Sequence, residues 1–160
     1  MAAIDERGPG IHDPMTTKIA FLTCLASTLF MTGLIWFVHV VHYPLFARVE
    51  AGAFARYHAD HTRTTTYVVL IPMVLELVTS AYLIAGRPEG TGPGLAWLGL
   101  ALVLISWAAT FFLSVPSHDR LALGFDAGVH RSLVRTNAVR LASWTAHSAI
   151  LLIMTARAIR

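Results

Sequence analysis

The sequence predicts an all-α integral membrane protein: an antiparallel four-helix bundle whose helices run up-down-up-down. Of the 160 residues, 56% are hydrophobic and only 13% are charged. Soluble domains carry about 25% charged residues, so this composition favours lipid as the solvent. Four apolar runs are separated by short polar segments, and each run approaches the length of a bilayer crossing. The predicted spans are about 19–43, 64–86, 94–115 and 138–157.

The N-terminal residues 1–17 are polar and rich in Gly and Pro, which predicts a flexible tail ahead of a membrane domain over 18–160. The first apolar run is much longer than the roughly 7–15 residues of a secretory signal core, so we expect it to be retained. Pro44 and Pro116 follow the first and third runs. Because proline lacks a backbone N–H and disfavours helix before it, both are expected to end their helices.

The connection between the third and fourth spans has an amphipathic pattern. Leu121, Phe125, Val129 and Leu133 recur every four residues within segment 117–137, and arginines lie between them. This pattern predicts a short interfacial helix that lies on the membrane surface and contacts anionic headgroups. The fourth apolar run is short, and its flanking residues Arg140 and Arg157 are expected to snorkel towards water.

The basic residues occur singly at the ends of apolar runs, although the net charge is +3. That distribution is typical of residues that flank membrane spans and argues against nucleic-acid binding. The expected partners are therefore the lipid bilayer, anionic headgroups and, through a ridge of Ala138, Ala142 and Ala146, a second copy of the chain. The expected location is the cell membrane as a multi-pass protein, specifically a bacterial inner membrane. A single cysteine, Cys24, excludes an intrachain disulfide.

Histidines collect at one end of the predicted bundle. With four antiparallel spans, the end of the first, the start of the second, the end of the third and the start of the fourth meet at the same face. This face receives His39, His42, His58, His61, His118 and His130, and His147 lies deeper. Only His12 belongs to the opposite end, so the arrangement predicts a histidine-rich site.

Two pairs in this set have the spacing of metal ligands. His39 and His42, and likewise His58 and His61, are three residues apart, which places two imidazoles on one helix face. Imidazole suits Fe, Zn and Cu. The predicted metal ligands are His42, His58, His61 and His118. An alternative cofactor is haem b, for which His39 and His147 form the predicted axial pair. Ordinary interfacial or solvated histidines remain the competing interpretation.

Glu76 is the one acid within the second span. A charged group at the bilayer centre costs about 2.5–3.5 kcal/mol on insertion scales, so a partner inside the bundle is expected, and His147 lies at a similar depth. Glu76 has two interpretations: a catalytic proton-transfer carboxylate or one half of a structural pair. A joint site with His58 and His61 would require a helix break near residues 64–66, because an unbroken helix separates His58 from Glu76 by about 27 Å.

Two classes of function follow. The first is a metal- or haem-dependent membrane oxidoreductase with its site at the bundle mouth. The second is a non-enzymatic membrane component, such as an assembly factor, a small transporter subunit or a lipid-binding protein, in which Glu76 and His147 are structural.

Several strings of the sequence resemble a group of small four-span bacterial membrane proteins. They are WFVHVVHYPLF (36–46), YHADHTRTTTYVV (57–69), PMVLEL (72–77), VPSHDRLALGF (115–125) and LVRTNAVRLASWTA (133–146). The resemblance implies a four-span topology and assigns no activity. In size and span count alone the chain is also remotely similar to anthrone-oxygenase-like membrane proteins.

Overall fold

The computed structural model describes residues 13–159, and within this range it consists of four long helices and their short connections, with no strand. The helices are α1 (Pro14–Arg48), α2 (Ala51–Tyr82), α3 (Pro93–Leu121) and α4 (Ala127–Ala158). All four are long and apolar enough to cross a membrane. The predicted all-α, four-helix membrane protein is therefore confirmed. His12 and most of the predicted tail lie outside the described residues.

Hydrogen-bonded pairs show how the helices lie against one another. From the start to the end of α1, partners on α2 are met in reverse order: Thr17 with Tyr82, Cys24 with Ser80, Thr28 with Glu76, and His42 with His61. The two helices therefore run in opposite directions. Between α3 and α4, Gly99 lies against the His147 ring and Ser114 bonds Arg140, which is again a reversed order.

The bundle has apolar residues outside and polar residues inside. Ile71, Val78 and Phe112 are 66%, 61% and 77% exposed, as expected of side chains that face lipid. The interior holds an unusual number of polar side chains, among them Thr28, Glu76, Ser80, Ser106, Ser114, Asn137, Arg140, Ser143 and His147. Apolar clusters close both ends of this polar layer, one around Phe46, Phe54 and Leu133 and the other around Phe21, Leu83 and Met154.

The expectation that Pro44 and Pro116 end their helices was wrong. Helix α1 passes through Pro44 and α3 through Pro116, each by way of a π-helical turn, at Val38–His42 and Thr110–Ser114. In both turns the residue before the proline donates its N–H five residues back, Tyr43 to the Val38 carbonyl and Val115 to the Thr110 carbonyl. The wider turn accommodates a residue that has no N–H to donate, so the helix continues.

Helix α2 is continuous from Ala51 to Tyr82 and contains Pro72 without a break. No interruption occurs near residues 64–66. His58 and Glu76 therefore stay about 27 Å apart along the axis, and the joint site of these two residues does not form.

The predicted interfacial helix over 117–137 is also absent. Its first residues complete α3, which ends at Leu121, and its later residues form the first turns of α4. The bend between them includes Gly124 at φ +137, a conformation open mainly to glycine. Because α4 begins at Ala127, Arg140 is not a flanking residue: it is 7% exposed inside the bundle.

Aspartates cap two of the helices. Asp13 accepts a hydrogen bond from the Thr16 N–H, so α1 begins at Pro14 and residues 14–17 are helical rather than part of a tail. Asp126 accepts one from the Val129 N–H at 2.8 Å and fixes the start of α4. The bond from Val129 holds the pKa of Asp126 below its ordinary value, so the carboxylate is charged at neutral pH.

We expect Asp126→Ala to lower the melting temperature by a few degrees, because the first N–H groups of α4 lose their acceptor. The control is Asp119→Ala, an exposed aspartate without a capping bond. Thermal unfolding of the detergent-solubilised protein measures both. The wild-type cap should also weaken as the pH falls through the lowered pKa, because the protonated carboxyl accepts poorly. Equal melting temperatures for the two variants would contradict the assignment of this cap.

Candidate functional site

Four histidines from three helices meet at one end of the bundle. We call His42, His58, His61 and His118 the histidine cluster. His42 comes from the π-turn of α1, His58 and His61 from the first half of α2, and His118 from the last turn of α3. These are the four residues predicted as metal ligands, and the structure brings all of them together. Sequence spacing alone could place only His58 beside His61.

The cluster consists of two hydrogen-bonded pairs. His42 Nε2 lies 2.8 Å from His61 Nδ1, and His58 Nε2 lies 3.0 Å from His118 Nδ1. The pairs are adjacent, since the ring centroids of His61 and His118 are 5.6 Å apart. Two protonated imidazoles have no acceptor nitrogen, so at least one ring of each pair is neutral.

One buried nitrogen of the cluster has no hydrogen-bond partner. His118 uses both ring nitrogens, because its Nε2 lies 3.0 Å from the Tyr43 hydroxyl. His58 uses its Nε2 for the hydrogen bond with His118, and its Nδ1 is buried without a hydrogen bond. Leaving a buried polar atom unpaired costs about 1–3 kcal/mol. The cluster therefore retains capacity for a ligand.

Aromatic rings enclose the cluster. Phe46 touches His42, His58 and His61 edge-on, with centroid distances of 5.3, 5.8 and 5.0 Å, and Phe54 stacks on His58. As a result His58 and His61 are 1% and 8% exposed. His42 and His118 are half-buried, so the site is closed on its inner side and open towards its outer side.

Two further histidines at this end have other partners. His130 Nε2 donates to the Tyr43 carbonyl at 2.7 Å and so ties α4 to the segment after the π-turn. His39 points to α4, where its Nδ1 lies 3.4 Å from the Asn137 amide nitrogen. Asn137 is in mid-helix and fully buried. Neither histidine belongs to the histidine cluster.

Glu76 occupies a separate, fully buried site in the middle of the bundle. Its Oε1 accepts from Thr28 Oγ1 at 2.8 Å and from His147 Nδ1 at 2.9 Å, and its Oε2 accepts from Trp144 Nε1 at 2.8 Å. The expected contact between Glu76 and His147 is present, whereas sequence analysis did not identify Thr28 and Trp144 as partners. Gly99 allows the His147 ring to approach α3, because a Cβ there would meet Nε2 at 3.0 Å.

Arg140 lies between the two sites. Its guanidinium donates to Ser114 Oγ at 3.1 Å, lies over the Trp144 ring at 5.3 Å and adjoins Tyr43. No carboxylate forms an ion pair with Arg140 in the part of the chain that the structure describes. Tyr43 contacts the histidine cluster and Trp144 contacts Glu76, so Arg140 joins the mouth to the middle of the bundle.

The predicted axial pair for haem does not form. His39 contacts α4 at Asn137, whereas His147 lies ten residues further along the same helix. That separation corresponds to about 15 Å, and one iron cannot be bound by both imidazoles at once. The structure therefore gives no support to the haem b alternative.

The four predicted metal ligands lie together, but their nitrogens are not arranged around a metal position. Within residues 13–159, no three His, Cys, Asp or Glu side chains are arranged to hold a metal ion as they stand. The four imidazoles face one another as two pairs instead of surrounding one point. Any bound ion would require these pairs to separate and turn.

Comparison of the chain with protein-family models, with curated proteins and with solved structures gives no match in any of the three sets.

The Glu76 network makes a testable prediction. In Glu76→Gln the amide oxygen can still accept from Trp144, and the amide NH₂ can donate to Thr28 and to the other tautomer of His147. We expect the free energy of unfolding to change by less than about 1 kcal/mol. His147→Ala should lower it by about 1–3 kcal/mol, because it removes a buried donor and leaves a void.

Thermal unfolding in detergent measures these variants, with His39→Ala as the control for loss of a histidine outside the network. A loss in Glu76→Gln as large as that in His147→Ala would show that the negative charge itself is required.

Proposed function

We propose that the protein is a membrane metalloprotein that binds one transition-metal ion at the histidine cluster. The observation that supports this most strongly is the convergence of four imidazoles from three helices at one end of a bundle, with a buried His58 nitrogen left unpaired. Imidazole is the ligand shared by zinc, copper and iron sites, and helical bundles build such sites from facing side chains.

Within each pair the required movement is small, and the two pairs must also turn until their nitrogens face one point. A tetrahedral ion at 2.0–2.1 Å from two nitrogens holds them about 3.3 Å apart. The nitrogens of the two pairs are now 2.8 and 3.0 Å apart, so each pair must open by about 0.3–0.5 Å and exchange its shared proton for the ion. Tyr43 would then orient His118 through its other nitrogen, as outer partners of metal-bound histidines commonly do.

We further propose that the metal site has oxidoreductase activity. A redox-active ion at the half-open mouth is within reach of a substrate, whereas Glu76 is too distant to exchange a proton directly with it. We therefore assign Glu76 a role in holding the bundle together. The proposed setting is a bacterial inner membrane, and membership of the small four-span bacterial group stays a prediction.

A second candidate is a non-enzymatic membrane component. It is favoured by the Glu76 site, in which three donors from the same chain already bond the two carboxylate oxygens. In this case Arg131 and Arg135, on the outer face of the first turns of α4, contact anionic headgroups. A homo-oligomer through the exposed Ala138, Ala142 and Ala146 remains a prediction.

Elemental analysis tests the metal proposal. Protein purified in detergent without chelators should contain about one Zn, Cu or Fe per chain. His61→Ala should lower the affinity by about tenfold or more, because it removes a ligand at the centre of the cluster. His39→Ala is the matched control and should retain the metal.

Size-exclusion chromatography shows whether each variant remains folded, and His61→Gln provides a less disruptive substitution. Wild-type protein without stoichiometric metal, or equal losses in His61→Ala and His39→Ala, would contradict the metal site and favour the second candidate.

A further inference from the structure

A groove of about 400 Å³ opens between α1 and α2 directly beside the histidine cluster. His42 and His61 form part of its wall, so a molecule in the groove would touch the proposed metal site. Volumes of 300–1,000 Å³ are typical of sites for small organic ligands. The groove is open along its side, where the exposed Phe37 and Val68 face the lipid.

The polarity of the groove changes along its length. Tyr57 and Asp60 lie at the outer end, the two histidines follow, and Leu34 and Val68 line the inner end. Asp60 and Val68 are both on α2, about 12 Å apart along the helix axis. The groove thus runs along the bundle, with its polar end at the mouth and its apolar end towards the membrane interior. An amphiphile aligned with the lipid chains has the same gradient.

Charge restricts the head of such a molecule. Among the described residues, no Lys or Arg lines the groove. Its one acid, Asp60, is paired with Arg63 at 2.9 Å, so the charges at this end offset each other and favour neither an anionic nor a cationic head. The remaining polar groups are two imidazoles and the hydroxyls of Tyr57, Thr64 and Thr65, which hydrogen-bond neutral oxygen.

We propose that this groove admits a neutral amphiphile from the lipid, with a hydroxyl or carbonyl oxygen at its head, as the substrate or ligand of the histidine cluster. The head lies against His42 and His61, and the apolar part extends past Leu34 and Val68. The role of the amphiphile as a substrate rests on the proposed function. Its binding depends only on the groove.

Photolabelling in lipid nanodiscs tests the proposal. The probe is a long-chain alcohol with a photoreactive diazirine in its chain, and labelled peptides are mapped by mass spectrometry. Labelling should concentrate on the groove, and unlabelled alcohol should reduce it about tenfold, whereas a fatty acid or an alkylamine of equal length should not. Equal competition by the acid or the amine, or labelling spread over the whole lipid-facing surface, would overturn the proposal.

Two matched substitutions locate the site. Val68→Trp fills the apolar end of the groove, and Val78→Trp makes the same change on the lipid-facing side of α2 outside it. Both residues are exposed, so the fold should tolerate either change. Groove labelling should fall about tenfold in Val68→Trp and persist in Val78→Trp. Equal labelling in the two variants would overturn the proposal.

Metal analysis of the same samples separates the two proposals. Val68→Trp should retain the metal content of the wild type, because it replaces no ligand. If the wild type contains no metal but its groove labelling is selective, the metal proposal fails and the groove proposal stands. If metal is present and labelling is unselective, the groove proposal fails and the metal proposal stands.

Discussion

The carboxylate of Glu76 is bonded by donors from two other helices, Thr28 of α1 and Trp144 and His147 of α4. In lipid, the hydrophobic effect does not favour helix association over contact with acyl chains, so packing and interhelical hydrogen bonds must supply the preference. A side chain that accepts three interhelical hydrogen bonds in a low dielectric is a strong connection of this kind, and a neutral amide at this position can keep the same partners. The positions of α1, α2 and α4 in the bundle thus depend on this one group.

Arg140 is also a buried ionisable group that needs partners within the bundle, but its partners are of a different kind. A guanidinium inside a membrane bundle needs hydrogen-bond acceptors around it. Here Ser114 accepts one bond and the Trp144 face supplies a negative surface, while Nε stays unpaired. Tyr43 lies beside the same guanidinium and also contacts His118, so Arg140 lies next to the histidine cluster.

The sequence predicted the spans, the gathering of histidines and the contact between Glu76 and His147, because composition, topology and depth determine these features. It did not predict the helices through Pro44 and Pro116. A π-turn shifts the spacing of buried residues: after Ile35 and Val38 the next buried residue is Tyr43, five positions on instead of three or four. In a soluble helix the spacing of apolar residues in the sequence would reveal this shift. In an apolar run that faces lipid on one side and the core on the other, hydropathy does not show this shift. Thr28 and Trp144 were missed because their bonds join distant segments.

One π-turn contains His42, and the other ends four residues before His118. Each turn adds one residue to its helix, which offsets the outer part of the chain by about 100° relative to a regular helix. The bundle therefore has two angular registers, one for the Glu76 layer and one for the histidine layer. A single-residue deletion in either turn would rotate a histidine out of the mouth and leave the deeper layer in place. The side chains at the mouth of this bundle can thus change without any change in the part that holds it together.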